Sequence, residues 1–440
     1  MKERIIAILS LCAGALFLMI PAFLNGYPIV YSDSSTYLVS GFELNPPLDR
    51  PITYGVFLRI ASLNGLSLWP VIFFQSLILS CLVFRLLGGF MERSRWYYLA
   101  GTGTMLLLAL FTGVSWTASQ VIADLFTPVT VLTLLVILVV PAPRHEQVLL
   151  YILFFLATSM HISHLSLNAA LLILLFIAGR IRFFQLEKWI RIRPLLIALV
   201  LTATAYLVMA PAISKSRHVF LMGAMVENGI AKTFLDEQCP EHPYSLCAYK
   251  DSLPLQAWAF IWDEESPFYK VGGWKGTRKE FNEIIRKTLT TPRYLLLHTR
   301  ESIRATGRQL VKFRSGDGNG IFLQGTQLHR RIGKYFPREL HRFEDSRQNR
   351  GELGFLGPAN HMHLAVLLVS MGGLVLLLIR KPGSRLMAML VVLLLGVVTN
   401  AWSCATFANA LDRLGSKMIW LVPLGVIIGW LARSPLRHPS

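Results

Sequence analysis

The chain has 440 residues, 53% of them hydrophobic and only 15% charged, with a mean hydropathy of +0.50. A soluble globular chain carries about a quarter charged residues, so this composition excludes that class and points to a membrane protein. A net charge of +18 would suit a nucleic-acid binder, but the same excess belongs to the cytoplasmic loops of a polytopic protein, and no nucleic-acid partner is expected.

The apolar residues gather into runs close to the roughly 20 residues that cross a bilayer. In chain order the expected spans are 5–24, 68–87, 97–114, 121–140, 148–160, 165–178, 195–213, 362–379, 386–402 and 418–431. The fifth and sixth are too short to cross upright, and are expected to form a hairpin buried among the others, with its apex at His161-Ile162-Ser163-His164. The first run follows a basic start, Lys2 and Arg4, so a signal peptide is the competing reading. Its apolar stretch is long for that and no small-x-small cleavage site follows, which favours a retained anchor. The expected fold class is an all-α polytopic membrane protein with about ten transmembrane helices and one mainly helical extracytoplasmic domain between spans seven and eight. Residues 1–213 would form the N-terminal bundle, 214–360 the outer domain and 361–440 the last three spans.

Basic residues orient the chain. With a cytoplasmic N-terminus, the inside segments hold Lys2 and Arg4, Arg93 and Arg95, Arg144, the cluster Arg180, Arg182, Lys188, Arg191 and Arg193, then Arg380, Lys381 and Arg385, and finally Arg433 and Arg437. The short outside connections hold only Arg50, Arg59, Arg413 and Lys417, as the positive-inside rule requires. Segment 214–360 then falls outside, and Trp69, Trp96, Trp116, Trp402 and Trp420 fall near span ends as an aromatic belt would place them. Both termini would be cytoplasmic, and a bacterial inner membrane is the expected home.

The outer segment contains two cysteines, Cys239 and Cys247, which should pair in an oxidising space. A metal site using His242 is the competing reading, though no second cysteine pair accompanies it. Cys12, Cys81 and Cys404 fall in apolar spans as small hydrophobes. Residues 277–313 carry apolar positions at three-and-four spacing broken at Pro292, and Ser315-Gly316-Asp317-Gly318-Asn319-Gly320 reads as a flexible turn. A loop this long suits a cap over a site at the membrane surface.

Four groups carry candidate chemistry. Asp33, a few residues beyond the first span, sits among hydroxyls and Tyr37; it can serve as a general base or hold a divalent cation, or else N-cap a helix starting at Ser34. Asp124 lies at the start of the fourth span, where an ionisable residue marks a site or a helix-start acid. His161 and His164, three apart at the hairpin apex, could bind a phosphate or share a metal, or be structural. Arg413 and Lys417 could bind an anionic headgroup or diphosphate, or snorkel as anchors.

The first outside loop reads Asp33-x-x-x-Tyr37 and then Arg50-Pro51-x-x-Tyr54-Gly55, which resembles the polytopic GT-C glycosyltransferases. The resemblance covers the general layout and this loop. It implies a lipid-linked sugar donor, a polyprenyl-phosphate carrier used at the outer face, and a glycan or lipid acceptor. It places the essential acid at Asp33 and its companion at Asp124, and seeks the residues that meet donor and carrier phosphate among Tyr37, Arg50, Arg59, His161, His164 and Arg413. A single acid stands where relatives carry a pair, which leaves a divalent cation (Mg or Mn) open, and the soluble domain is internal rather than C-terminal. The absence of a Gly-rich nucleotide motif agrees with a lipid-linked donor. A transporter or flippase would need charges along a midplane pathway and repeat symmetry, and a non-catalytic assembly protein would tolerate loss of Asp33.

Overall fold

The computed structural model describes residues 2–181 and 185–432. Arg182, Arg433 and Arg437, which the charge pattern assigns to the inside, lie outside the described residues. Among those described, the chain is all helix; the single β-type contact is a parallel bridge between Ile29 and Gln120.

Five helical stretches are long and apolar enough to cross a bilayer: Trp69–Leu87, Ile192–Glu227, Leu356–Ile379, Ser384–Phe407 and Asp412–Leu431. They give the chain the character of an integral membrane protein. The other expected spans are shorter. Lys2–Leu18 is separated at Met19 from Ile20–Asn25, whose first turn holds Pro21, a residue with no N–H to continue the ladder. Arg144–Ser159 has 16 residues, about 24 Å of rise against an apolar core of about 30 Å.

At the centre stands Phe126–Val139, in which only Ile137 is not buried. A helix apolar all round has no face for water and lies either in a protein core or in lipid; this one is enclosed by protein. Its threonines are satisfied internally: Thr127 meets His164 at 2.8 Å, Thr130 meets Thr158 at 3.2 Å, and Thr133 donates to the Val129 carbonyl at 2.7 Å. Trp69–Leu87, Arg144–Ser159 and Ser384–Phe407 pack around it.

Three expectations change at this level. The hairpin of Arg144–Ser159 and Ser163–Ala178 is not buried among the others, because Val148, Leu149 and Ile152 on one arm and Ile173 and Ile177 on the other are exposed. Such a face suits lipid contact, so shortness here reflects a broken pair at the rim rather than enclosure. Trp116 and Trp420 are core residues rather than belt residues, each 6% exposed or less. Cys81 is exposed rather than packed.

Segment 214–360 is divided by its packing. Ile192–Glu227 runs through Pro211 without ending, so its last turns already belong to a second core containing Val219, Met222, Phe234, Phe260 and Phe281. Cys239 and Cys247 are joined as a disulfide beside this core. The expected break at Pro292 separates Arg278–Thr290 from Pro292–Leu310. Leu328, Ile332, Phe336 and Phe343 instead join the main core with Tyr27 and Leu68. Glu339 is the clasp there: it accepts from Tyr27 Oη at 3.0 Å, Ser67 Oγ at 2.6 Å and the Leu68 N–H at 3.1 Å.

Candidate functional site

The first loop is shaped by two short helices, Ser32–Glu43 and Thr53–Ala61, which cross with their backbones in contact. At the crossing stand Gly41 and Gly55; a Cβ on Gly41 would lie 2.1 Å from the Gly55 carbonyl oxygen, so no larger residue fits. The preceding strand-like stretch is pinned on both sides. Ile29 donates to Ser119 O at 3.0 Å and accepts from Val121 N at 2.9 Å, while Gln348 bonds both the N–H and the carbonyl of Val30. Below it, the buried Gln75 amide donates to the carbonyls of Ala118 and Gln120, each at 2.8 Å, and accepts from Tyr54 Oη. These bonds hold the first loop, residues 118–121 and the end of the outer segment as one block.

Asp33 occupies the second position of the Ser32–Glu43 helix and does not cap it. That task falls to Ser34, whose Oγ accepts from the Tyr31 N–H at 3.0 Å and donates to the Val121 carbonyl at 2.8 Å. The Asp33 carboxylate is therefore left for other partners, and two guanidiniums take it: Arg50 at 3.1 Å and Arg413 at 3.4 Å. Its side chain keeps a quarter of its surface exposed, against 11% for Arg50 and 14% for Arg413. Burial pushes the Asp33 carboxyl up, but Arg50 and then Arg413 outweigh it and hold it below its ordinary value.

A second layer lies directly behind. Arg413 also faces Asp124, Nε to Oδ2 at 3.5 Å, and Lys417 donates to the other Asp124 oxygen at 3.0 Å. Lys417 has no exposed side-chain surface and Asp124 has 3%, so this is a buried pair in which each charge depends on the other. Arg413 Nε and Asp124 Oδ2 are both buried without a hydrogen-bond partner, which leaves polar capacity at the junction of the two layers. Aromatic faces complete the walls: Tyr31 lies under the Arg413 guanidinium at 4.2 Å and Tyr37 under Arg50 at 5.2 Å.

The turn expected to be flexible is docked onto this layer. Asp317 accepts from the Arg413 N–H at 3.2 Å, Asn319 accepts from the Gln120 amide at 3.0 Å, and Ser315 and Asn360 bond reciprocally. Gly318, at φ +75°, lies so close to Tyr31 that a Cβ would meet its ring at 2.0 Å. The sequence 315–320 therefore forms a cover over the ion cluster.

Of the residues expected at the site, Asp33, Asp124, Tyr37, Arg50 and Arg413 come together. Arg59 does not: it donates to Asn64 at 2.8 Å and approaches the Gly41 and Phe42 carbonyls, finishing the Ser32–Glu43 helix. Nor is His164 free to bind a ligand, since Nε2 meets Thr127 Oγ1 and Nδ1 meets the Ala157 carbonyl, each at 2.8 Å. His161, 5.6 Å away ring to ring, bonds Ser163 and stands close enough to the cluster to feel the charges of Lys417, Asp124, Arg50 and Arg413, without an ion pair to either carboxylate. Tyr31, Asp317 and Asp49, which accepts from Arg50 Nε at 3.0 Å, join the cluster without having been singled out in the sequence, whereas Lys417, expected with Arg413 to meet an anionic group, pairs with Asp124. Lys417 carried a signal, standing four residues after Arg413 on one helical face.

Among the described residues no three His, Cys, Asp or Glu side chains converge as ligands for a metal ion. Asp33 and Asp124 instead have guanidinium or ammonium partners. Comparisons with protein-family models, with curated proteins and with solved structures gave no match.

Proposed function

We propose that the chain is a membrane glycosyltransferase that moves a sugar from a polyprenyl-phosphate carrier to an envelope glycan or lipid acceptor. The reading includes about ten crossings, a cytoplasmic N-terminus, a bacterial inner membrane, and the cluster at the outer surface. One observation carries it: a partly exposed carboxylate, Asp33, held between two guanidiniums at the rim of an apolar bundle.

The chemistry follows from that pairing. Arg50 and Arg413 offer planar donors to phosphate oxygens. A phosphate drawing on the same donors competes with Asp33 for them, and the carboxylate then gains basicity as it loses its cations. Asp33 takes the proton from an acceptor hydroxyl, the oxygen attacks the anomeric carbon, and the bond from that carbon to the phosphate oxygen breaks. The lipid phosphate leaves with the electron pair, its charge met by Arg50 and Arg413. The Asp124–Lys417 pair fixes Arg413 from behind, and the 315–320 turn limits water at the reacting face.

The test compares lipid-linked sugars and surface glycans by mass spectrometry in a deletion strain and in the same strain carrying wild type or Asp33→Asn at matched expression. Accumulation of a polyprenyl-phosphate sugar with a glycan short of one residue, restored by wild type alone, supports the reading. Full complementation by Asp33→Asn overturns it. A transporter is the second reading, favoured by the wholly buried Asp124–Lys417 pair, since buried charges also line coupled pathways. It requires that Asp33→Asn leave lipid-linked intermediates unchanged.

A further inference from the structure

The helix Pro292–Leu310 presents an outward face that the site does not use. Its buried edge, Tyr294, Glu301, Ala305 and Gln309, faces inward. Ser302 Oγ meets Thr406 Oγ1 at 2.7 Å, Ala305 packs with Ala405 and Ala410, and Leu310 and Phe313 lie beside Val397 and Ala401. The helix thus runs antiparallel to Ser384–Phe407, and residues 302–313 stand level with the last turns of that apolar helix. Its 24 residues rise about 36 Å, against an apolar core of about 30 Å. Those last turns, and whatever packs beside them, reach the boundary between acyl chains and headgroups.

Two kinds of side chain are exposed at this boundary. Leu296 and Ile303, seven apart on one stripe, are 72% and 69% exposed, and Val311 is 75% exposed. Beside the stripe stand Arg300, Arg304, Arg308 and Lys312, each four residues from the next. Glu301 lies 3.3 Å from Arg300 and 2.9 Å from Arg304; Arg308 donates to Asn228 and Lys312 to the Ala410 carbonyl. One carboxylate therefore pairs with two of the four cations, and the other two have only neutral partners. An apolar stripe edged by cations is the chemistry of a helix at a membrane interface, where Lys and Arg are drawn to anionic headgroups. A two-fold contact with a second copy would set this row of cations against itself.

We propose that this face is a seat for anionic phospholipids of the adjoining leaflet. Ile303 and Val311 enter the acyl region, and Arg300, Arg304 and Arg308 bind the phosphates. The proposal does not depend on the transferase reading.

The full chain, with Cys12→Ser and Cys81→Ser, is reconstituted in nanodiscs of phosphatidylcholine and phosphatidylglycerol, and nitroxides are placed by Ile303→Cys and Val311→Cys. Val369→Cys on an exposed face of Leu356–Ile379 reports lipid, and Glu92→Cys in a loop reports water. Labels at 303 and 311 should match the one at 369, with an oxygen-to-nickel accessibility ratio several-fold above that at 92. A ratio equal to that at 92 overturns the proposal, as does shielding from both reagents, which would show a protein cover. In a second arm, Arg308→Gln and the triple variant Arg300→Gln, Arg304→Gln, Arg308→Gln are purified with bound lipid. Several-fold loss of retained phosphatidylglycerol at an unchanged unfolding midpoint supports headgroup binding; unchanged retention by both overturns it.

Discussion

At the scale of single residues, Lys417 decides how the cluster stands. Taking an ammonium out of water costs several kcal/mol unless its partner is held in place, and Lys417 has no exposed surface. Lys417→Met strands Asp124 beside Arg413 alone, and should destabilise the fold by about 3–5 kcal/mol, the range for breaking a buried pair from one side. The double variant Asp124→Asn, Lys417→Met should lose less than the sum of the two single changes. Thermal unfolding in detergent of all four proteins measures the coupling, and strict additivity would show that the pair does not act as a unit. Asp33 gives a prediction with a sign. Its carboxyl is held below the ordinary value, so its bridges stabilise the fold above that value and are lost as pH falls through the lower folded one. The gap in unfolding midpoint between wild type and Asp33→Asn should hold from neutral pH to about 4 and close only below the ordinary carboxylate range. A gap that closes near pH 6 would mean that the guanidiniums do not hold the carboxylate. Asp33 and Arg50 were legible in the sequence because they share one short loop. Their junction with Arg413 and Lys417 was not, because it joins positions some 380 apart and depends on how the last helices return.

At the scale of elements, the 315–320 turn shows where local reading falls short. Three glycines in six residues were read correctly as a turn, but the same composition fits a free loop or one pressed against a ring. Only the position of Tyr31 separates the two. Gly318→Ala should push the turn away from Tyr31 and add the strain of a left-handed alanine, about 1–2 kcal/mol. The proposed transfer activity should fall sharply while the unfolding midpoint drops by only a few degrees, since the turn covers the cluster without forming its core. Wild-type turnover at a lowered midpoint would mean that the cover has no part in the reaction. The break at Pro292 was legible because proline acts locally, on the residue before it and on its own missing N–H. Arg59 misled for the opposite reason. A cation near the motif invites a phosphate, yet it serves the end of its neighbouring helix, and nothing within the loop sequence distinguishes the two uses.

At the scale of the whole molecule, composition fixed the class while burial decided which apolar helices face lipid. A hydropathy pattern is blind to that difference: Phe126–Val139 and Leu356–Ile379 are both strongly apolar, but the first is enclosed and the second leaves Leu368, Val369 and Val375 exposed. The long segment after the seventh run likewise read as one outer domain, though its last third packs with the first loop through Glu339 and Gln348. That closure ties sidedness to the site, because residues 27–43, 118–124, 315–350 and 411–417 meet in one place and must lie on one side of the membrane. The proposed orientation puts that side outside, and impermeant maleimide labelling of single cysteines in intact cells tests it. In a chain with Cys12→Ser and Cys81→Ser, labels should reach Lys250→Cys and Glu352→Cys without lysis, and should reach Glu92→Cys and His145→Cys only after it. Glu352, Glu92 and His145 are exposed and Lys250 is half-exposed, and the expected spans put the first and last of these in opposite loops from the other two, so the pattern has a definite inverse: 250 and 352 on one side, 92 and 145 on the other. The inverse pattern would place Asp33 and its guanidiniums in the cytoplasm, where nucleotide sugars are present, and the argument for a lipid-linked donor would fall with it. Labelling of 250 with protection of 352 would contradict the closure itself, since Glu339 and Gln348 could not then reach the first loop.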